Sequence, residues 1–211
     1  AVIASVAIAL APMERAFAET PDDQLVIAMS MSAIRGLDPQ ELNQLEAAEV
    51  VANLYDRLID LSPDKISEPK PSLAESWSVS EDGRTFTFKI RSGVEFHSGN
   101  PLTAQDVEWT LHRLVKLGLA PSTDLRQWGF SADNIDTLIR ATDDRTLVLE
   151  TPTVWNANLI LYSLASFSTS IVDSTLRTCC AGVTTSSASA VSSSALSVVA
   201  RIAGDRVTPG R

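Results

Sequence analysis

Residues 71–107 read PSLAESWSVSEDGRTFTFKIRSGVEFHSGNPLTAQDV, and the fold turns on the periodicity of this stretch. Phe86, Phe88 and Ile90 alternate with Thr85, Thr87, Lys89 and Arg91, the period-two pattern of a strand with one face in a core and the other in water. Trp77 and Val79 supply a partner strand. Glu81-Asp82-Gly83-Arg84 between them carries the turn chemistry, so the stretch predicts a hairpin. Gly93 and Gly99 bracket the loop Val94 to Ser98. Thr103 then stands where a helix N-cap belongs, with Asp106 three residues on, close to a capping box. Val107, Leu111, Leu114 and Val115 form the apolar stripe of that helix, and Gly118 ends it.

Upstream, Leu25, Ile27 and Met29 mark a short buried strand that feeds a loop through Arg35-Gly36-Leu37-Asp38-Pro39. Gln40 to Leu58 predicts a helix whose buried face is Leu42, Leu45, Ala48, Ala52, Tyr55 and Leu58. Pro63, Pro69 and Pro71 punctuate an extended connection. Downstream, Leu138 to Ala141 and Thr146 to Glu150 predict a second hairpin around Asp143-Asp144, and Asn156 caps an apolar helix through Ala165. The sum is a mixed α/β domain with no internal repeat.

The two ends differ from this body. Ala1 to Ala11 is apolar except for Ser5, too short to span a bilayer, and is followed by Ala16-Phe17-Ala18, a small-x-small cleavage pattern. Residues 1–18 are therefore expected to be the remnant of a signal peptide; a buried N-terminal helix is the alternative. With no Cys near Ala18, a soluble exported protein is expected rather than a lipid-anchored one. Residues 175–211 are rich in Ser, Thr, Ala and Val but contain no aromatic residue, no Lys and no Glu. Such a segment offers too few large apolar anchors to offset its ordering entropy, so a disordered or non-native tail is expected there.

Composition narrows the function. The chain has 211 residues, 45% of them apolar and 20% charged, which suits one substantial globular domain. Its 17 basic and 26 acidic residues leave a net charge of −9, the wrong sign for covering phosphates, so nucleic acid is not an expected partner. The nine glycines include no GxG pair, which removes support for dinucleotide or P-loop binding. Cys179 and Cys180 are adjacent and lack zinc-ligand spacing; His97 and His112 have no second His or Cys at ligand distance. His97 reads as a polar loop residue and His112 as a helix-surface residue. No metal, cofactor or catalytic residue is expected. Trp77, Trp109, Trp128 and Trp155 could line a cleft, although core packing is the commoner role of such side chains.

The spaced elements LAxSW, the Asp-Gly hairpin, FxFxIRxGVxFHxG and TAxDV, with Leu37-Asp38-Pro39 and Asn53-Leu54-Tyr55-Asp56 upstream, together resemble the peptide, dipeptide and nickel group of extracytoplasmic solute-binding proteins that serve ABC importers. The resemblance covers about residues 19–174. It implies a two-lobed periplasmic-binding-protein fold of type II character, of which this chain would hold an N-terminal lobe portion with the second lobe missing. It further implies a monomer that captures a peptide or other small solute and delivers it to the permease subunits in the membrane. In proteins of this kind the loop leaving the first strand faces the cleft, which here points to Ser30, Met31 and Ser32 as ligand-binding residues. A lobe with half a cleft is expected to bind weakly by itself. Two rivals remain at this level: a non-functional fragment or secreted interaction module, and a secreted hydrolase, for which the sequence shows no nucleophile elbow.

Overall fold

The computed structural model describes residues 34, 36–42, 44–62, 64–65 and 67–176. The leader, the Leu25 to Met29 strand, Ser30 to Ser32 and the tail beyond 176 lie outside the described residues.

Helix α1 (Leu45–Leu54) is shorter than the Gln40 to Leu58 helix expected, and its buried face is different. Ala47, Ala48 and Val51 turn inward, while Leu45 is 75% exposed and Ala52 also faces solvent. The reason lies at the C-terminal end. Tyr55 is extended (φ −127°, ψ 145°), which releases Leu58 from the helix and delivers it, fully buried, to the main core. Strand β1 (Ile59–Leu61) follows and pairs antiparallel with β2 (Pro69–Pro71), so Pro69 and Pro71 occupy a two-stranded edge pair rather than a plain connection. An edge strand tolerates the missing proline N–H.

The hairpin of β3 (Ala74–Val79) and β4 (Thr85–Ile90) forms as the alternation requires, with Trp77 opposite Phe88 and Val79 opposite Phe86. Phe86, Phe88 and Ile90 are fully buried, and the two phenyl rings lie 6.4 Å apart. After the helices comes the second hairpin, β5 (Ile139–Asp143) and β6 (Thr146–Glu150), and β6 pairs with β4 to give a four-stranded antiparallel sheet in the order β3-β4-β6-β5. Ile139, Leu147 and Leu149 join the phenyl rings on its inner face.

Helix α2 (Ala104–Leu117) covers that face with Val107, Leu111 and Leu114, all fully buried. Its start is fixed by Asp106, whose Oδ2 accepts from the Thr103 backbone N–H (2.9 Å) and hydroxyl (2.6 Å). Its end is Gly118 in the left-handed conformation (φ +64°), with its N–H bonded to the Val115 carbonyl. Two short helical turns, α3 (Thr123–Arg126) and α4 (Ile135–Leu138), lead to β5. His112 does not lie on the helix surface as expected. Its Nδ1 sits 3.0 Å from Asp136 and its Nε2 2.8 Å from the Ile139 carbonyl, so the ring joins α2 to α4 and β5. Helix α5 (Ala157–Leu164) begins where Asn156 accepts a bond from the Asn158 N–H, and the Tyr162 hydroxyl donates to the Ser67 carbonyl beside β2.

Candidate functional site

Trp109, Arg113 and Leu117 stand one turn apart on α2, off its core stripe, and line a cleft of 790 Å³. Facing them are the end of α1 (Leu54 to Asp56), the Val94 to Ser98 loop and the strap Ile171 to Asp173. The floor is apolar, formed by Leu54, Val94, Phe96, Leu102 and Ile171. Carboxylates of Asp38, Glu41, Asp56, Glu95 and Asp173 ring it, with Arg113 the one Lys or Arg among the lining residues. A volume near 800 Å³ with an apolar floor and a polar rim is the usual form of a small-molecule site.

Arg113 is held from several sides. Its Nη1 and Nη2 donate to the two oxygens of Asp38, a bidentate fork, with the Nη1 contact at 3.1 Å. Nη1 also donates to the side-chain oxygen of Gln40, Glu41 lies 3.7 Å away, and the guanidinium sits 5.9 Å from the Trp109 ring centroid. Gln40 is fully buried and its amide donates to the Thr110 carbonyl (2.6 Å), while its backbone N–H donates to Asp38. The loop before α1 is thereby clamped onto α2.

The opposite edge is organised by Asp173. Its Oδ2 accepts from the Ser98 hydroxyl (2.6 Å) and the Asn100 amide (2.8 Å), and its Oδ1 from the Thr175 N–H and hydroxyl. Burial pushes this carboxyl up, but the bonds from Ser98, Thr175 and Asn100 outweigh it and bring the pKa down to about 2. On the next residue, the Ser174 N–H and hydroxyl donate to Asp106 Oδ1, so the same carboxylate that starts α2 also anchors the strap.

Of the sequence expectations, Ser30, Met31 and Ser32 lie outside the described residues. His97 is exposed and lines the cleft. Among the tryptophans, Trp109 lines the cleft; Trp77 packs on the core; Trp128 donates to Ser163 (2.7 Å) and meets Trp155 edge-on at 5.1 Å. Arg113 and Asp173 were not singled out in the sequence. The signal available for Arg113 was its four-residue spacing from Trp109 and Leu117 on the polar side of a helix. Among the described residues no group of three His, Cys, Asp or Glu could hold a metal ion, and no helix is long and apolar enough to cross a membrane.

An α/β unit that presents an open, polar-rimmed apolar cleft is the class of a ligand-binding lobe. The family model described as bacterial extracellular solute-binding proteins, family 5 (middle), matches residues 68–194, well over half of the chain, and the chain belongs to this family. Among curated relatives, the probable deoxycholate-binding periplasmic protein YgiS of Escherichia coli is 30% identical over 143 residues, covering 60% of this chain and 26% of its own length. The dipeptide-binding protein DppE of Bacillus subtilis is 36% identical over 111 residues, 47% of this chain and 20% of its own. The chain thus spans about a quarter of the length of these relatives. The structure of the murein tripeptide binding protein MppA of Escherichia coli superposes with a TM-score of 0.56 at 26% identity, over 65% of this chain and 28% of MppA. Haemophilus influenzae OppA in complex with the peptide RPPGFSPFR shares the fold, with a TM-score of 0.59 at 20% identity over 66% of this chain and 29% of OppA.

Proposed function

We propose that this chain carries one wall of the ligand cleft in the extracytoplasmic binding component of an ABC importer, taking peptides or similar small solutes and handing them to permease subunits. The observation that carries the reading is the 790 Å³ cleft, apolar below and charged at its rim, in a member of this family. An apolar floor accepts varied side chains, while rim groups bond the polar backbone of an extended ligand. Capture is non-covalent, and no catalytic role is assigned to any lining residue. Ser30, Met31 and Ser32, which precede Asp38 in sequence, are proposed to contribute further ligand contacts. The protein acts as a monomer outside the cytoplasmic membrane. A single wall leaves much of the ligand in water, so the 211 residues alone bind weakly.

Titration of the isotope-labelled chain with trialanine, Ala-Phe-Ala and trilysine, followed by NMR, tests this. Amide shifts that saturate in the millimolar range and cluster on Phe96, His97 and Trp109 are expected. Absence of saturable shifts with all three, or shifts confined to the outer face of β3, would reject the reading.

A further inference from the structure

Arg113 is the one guanidinium or ammonium group lining a cleft ringed by carboxylates, yet its fork is already taken by one of them. Both terminal nitrogens are engaged by Asp38, one of them also by Gln40, and Glu41 and the Trp109 ring approach from the sides. Its side chain is only 16% exposed. A guanidinium whose fork is already taken is a poor bidentate anchor for an incoming anion, because a ligand carboxylate would first have to displace Asp38 from it. What the geometry does achieve is to hold a loop. Asp38, Gln40 and Glu41 have little secondary structure of their own, and Gln40 and Asp38 reach α2 through Arg113 and the Thr110 carbonyl. That loop is a wall of the cleft, and it continues in sequence from Ser30 to Ser32.

We infer that Arg113 is a positioning residue for ligand binding: it fixes the Gly36 to Glu41 wall against α2 and so sets the width of the cleft, without itself touching the solute. The inference rests on the proposed function for its ligand half, and on the loop geometry alone for its structural half. Lysine in its place would keep the charge but lose the fork, because an ammonium cannot match both carboxylate oxygens in plane. Removal of the partner charge should loosen the same wall as removal of Arg113, since Asp38 takes both arms of the fork.

Four chains suffice for the test: wild type, Arg113→Ala, Arg113→Lys and Asp38→Asn. Hydrogen exchange reports the wall, and titration with the three tripeptides reports the cleft. Exchange at Gln40 and Glu41 should accelerate at least about tenfold in Arg113→Ala and in Asp38→Asn while the Phe86 to Ile90 amides stay as protected as in wild type, and Arg113→Lys should fall between. Tripeptide affinity should drop about tenfold in parallel, with the three tripeptides affected alike. Wild-type exchange in both Arg113→Ala and Asp38→Asn would overturn the inference. So would a loosened wall with unchanged tripeptide affinity, or an affinity loss confined to one tripeptide, which would mark Arg113 as a direct contact. If Arg113→Ala loses protection throughout the sheet, the isosteric Asp38→Asn decides. Should wild type bind none of the tripeptides, the proposed function falls and the ligand half of this inference falls with it, while the exchange comparison still shows whether Arg113 holds the wall.

Discussion

Asp173 accepts four hydrogen bonds, two on each oxygen, and sits below its ordinary pKa of 3.8 at about 2. Because the folded-state pKa is depressed, this group contributes stability that is fully present above pH 3.8 and is lost as pH falls towards 2. Asp173→Asn keeps the shape, but its amide nitrogen replaces an acceptor with a donor that faces other donors. The variant should therefore unfold at lower temperature at pH 7, and the difference from wild type should shrink as both are titrated from pH 4 to pH 2. Thermal melts across that range check it; a gap that stays constant with pH would refute the assignment. Phe88 is a simpler case. It is fully buried in the main core with its ring 6.4 Å from that of Phe86, so Phe88→Ala should cost about 3–5 kcal/mol in denaturant unfolding. Thr87, half-exposed on the other face of the same strand, should cost well under about 1 kcal/mol when changed to Ala. Equal losses would contradict the alternation.

At the level of the element, α2 is where most of the molecule's constraints meet. One side packs the sheet, another lines the cleft, its N-terminal Asp106 holds the strap and its end turns at Gly118. An added Cβ at Gly118 would meet only the tip of Arg126 at 4.0 Å, so the cost of Gly118→Ala is backbone strain at φ +64° and should be about 1–2 kcal/mol. Circular dichroism melts would show it, and an unchanged melt would mean that the turn relaxes freely. This helix was legible in the sequence because its cap, stripe and terminating glycine agree with one another. The Phe86 to Ile90 strand was legible for the same reason. Helix α1 was not, since Leu45 and Ala52 have the right spacing for burial but face water, and the chain turns extended at Tyr55 to feed β1. Nothing local marks that break. The β1–β2 pair was missed because prolines argue against strand structure except at an edge, and edge position is a property of the whole fold.

The cleft belongs to the scale of the whole molecule and was the least legible part. Asp38 and Arg113 are 75 positions apart, as are Asn100 and Thr175, and no periodicity within one segment brings such pairs together. The Leu37-Asp38-Pro39 motif was readable as a family element, but its guanidinium partner was not. The same scale decides how tightly a solute is held. The superposed binding proteins are more than three times as long as the part that this chain matches, and on the proposed function the described residues supply only part of the ligand's surroundings. On that proposal, a tripeptide seated here would keep much of its surface in water. If about 150 Å² of apolar ligand surface that a complete cleft would cover stays hydrated, the shortfall at about 25 cal/mol per Å² is about 4 kcal/mol, or nearly a thousandfold in affinity. Ordering costs are also smaller for a half-open site, which offsets part of that difference. The dissociation constant of this chain for a tripeptide should therefore be at least about 100-fold weaker than that of Haemophilus influenzae OppA for the same tripeptide, measured side by side by calorimetry and NMR. A matching affinity would mean that one wall is enough to hold the ligand, and that the closing lobe in this family serves delivery rather than capture.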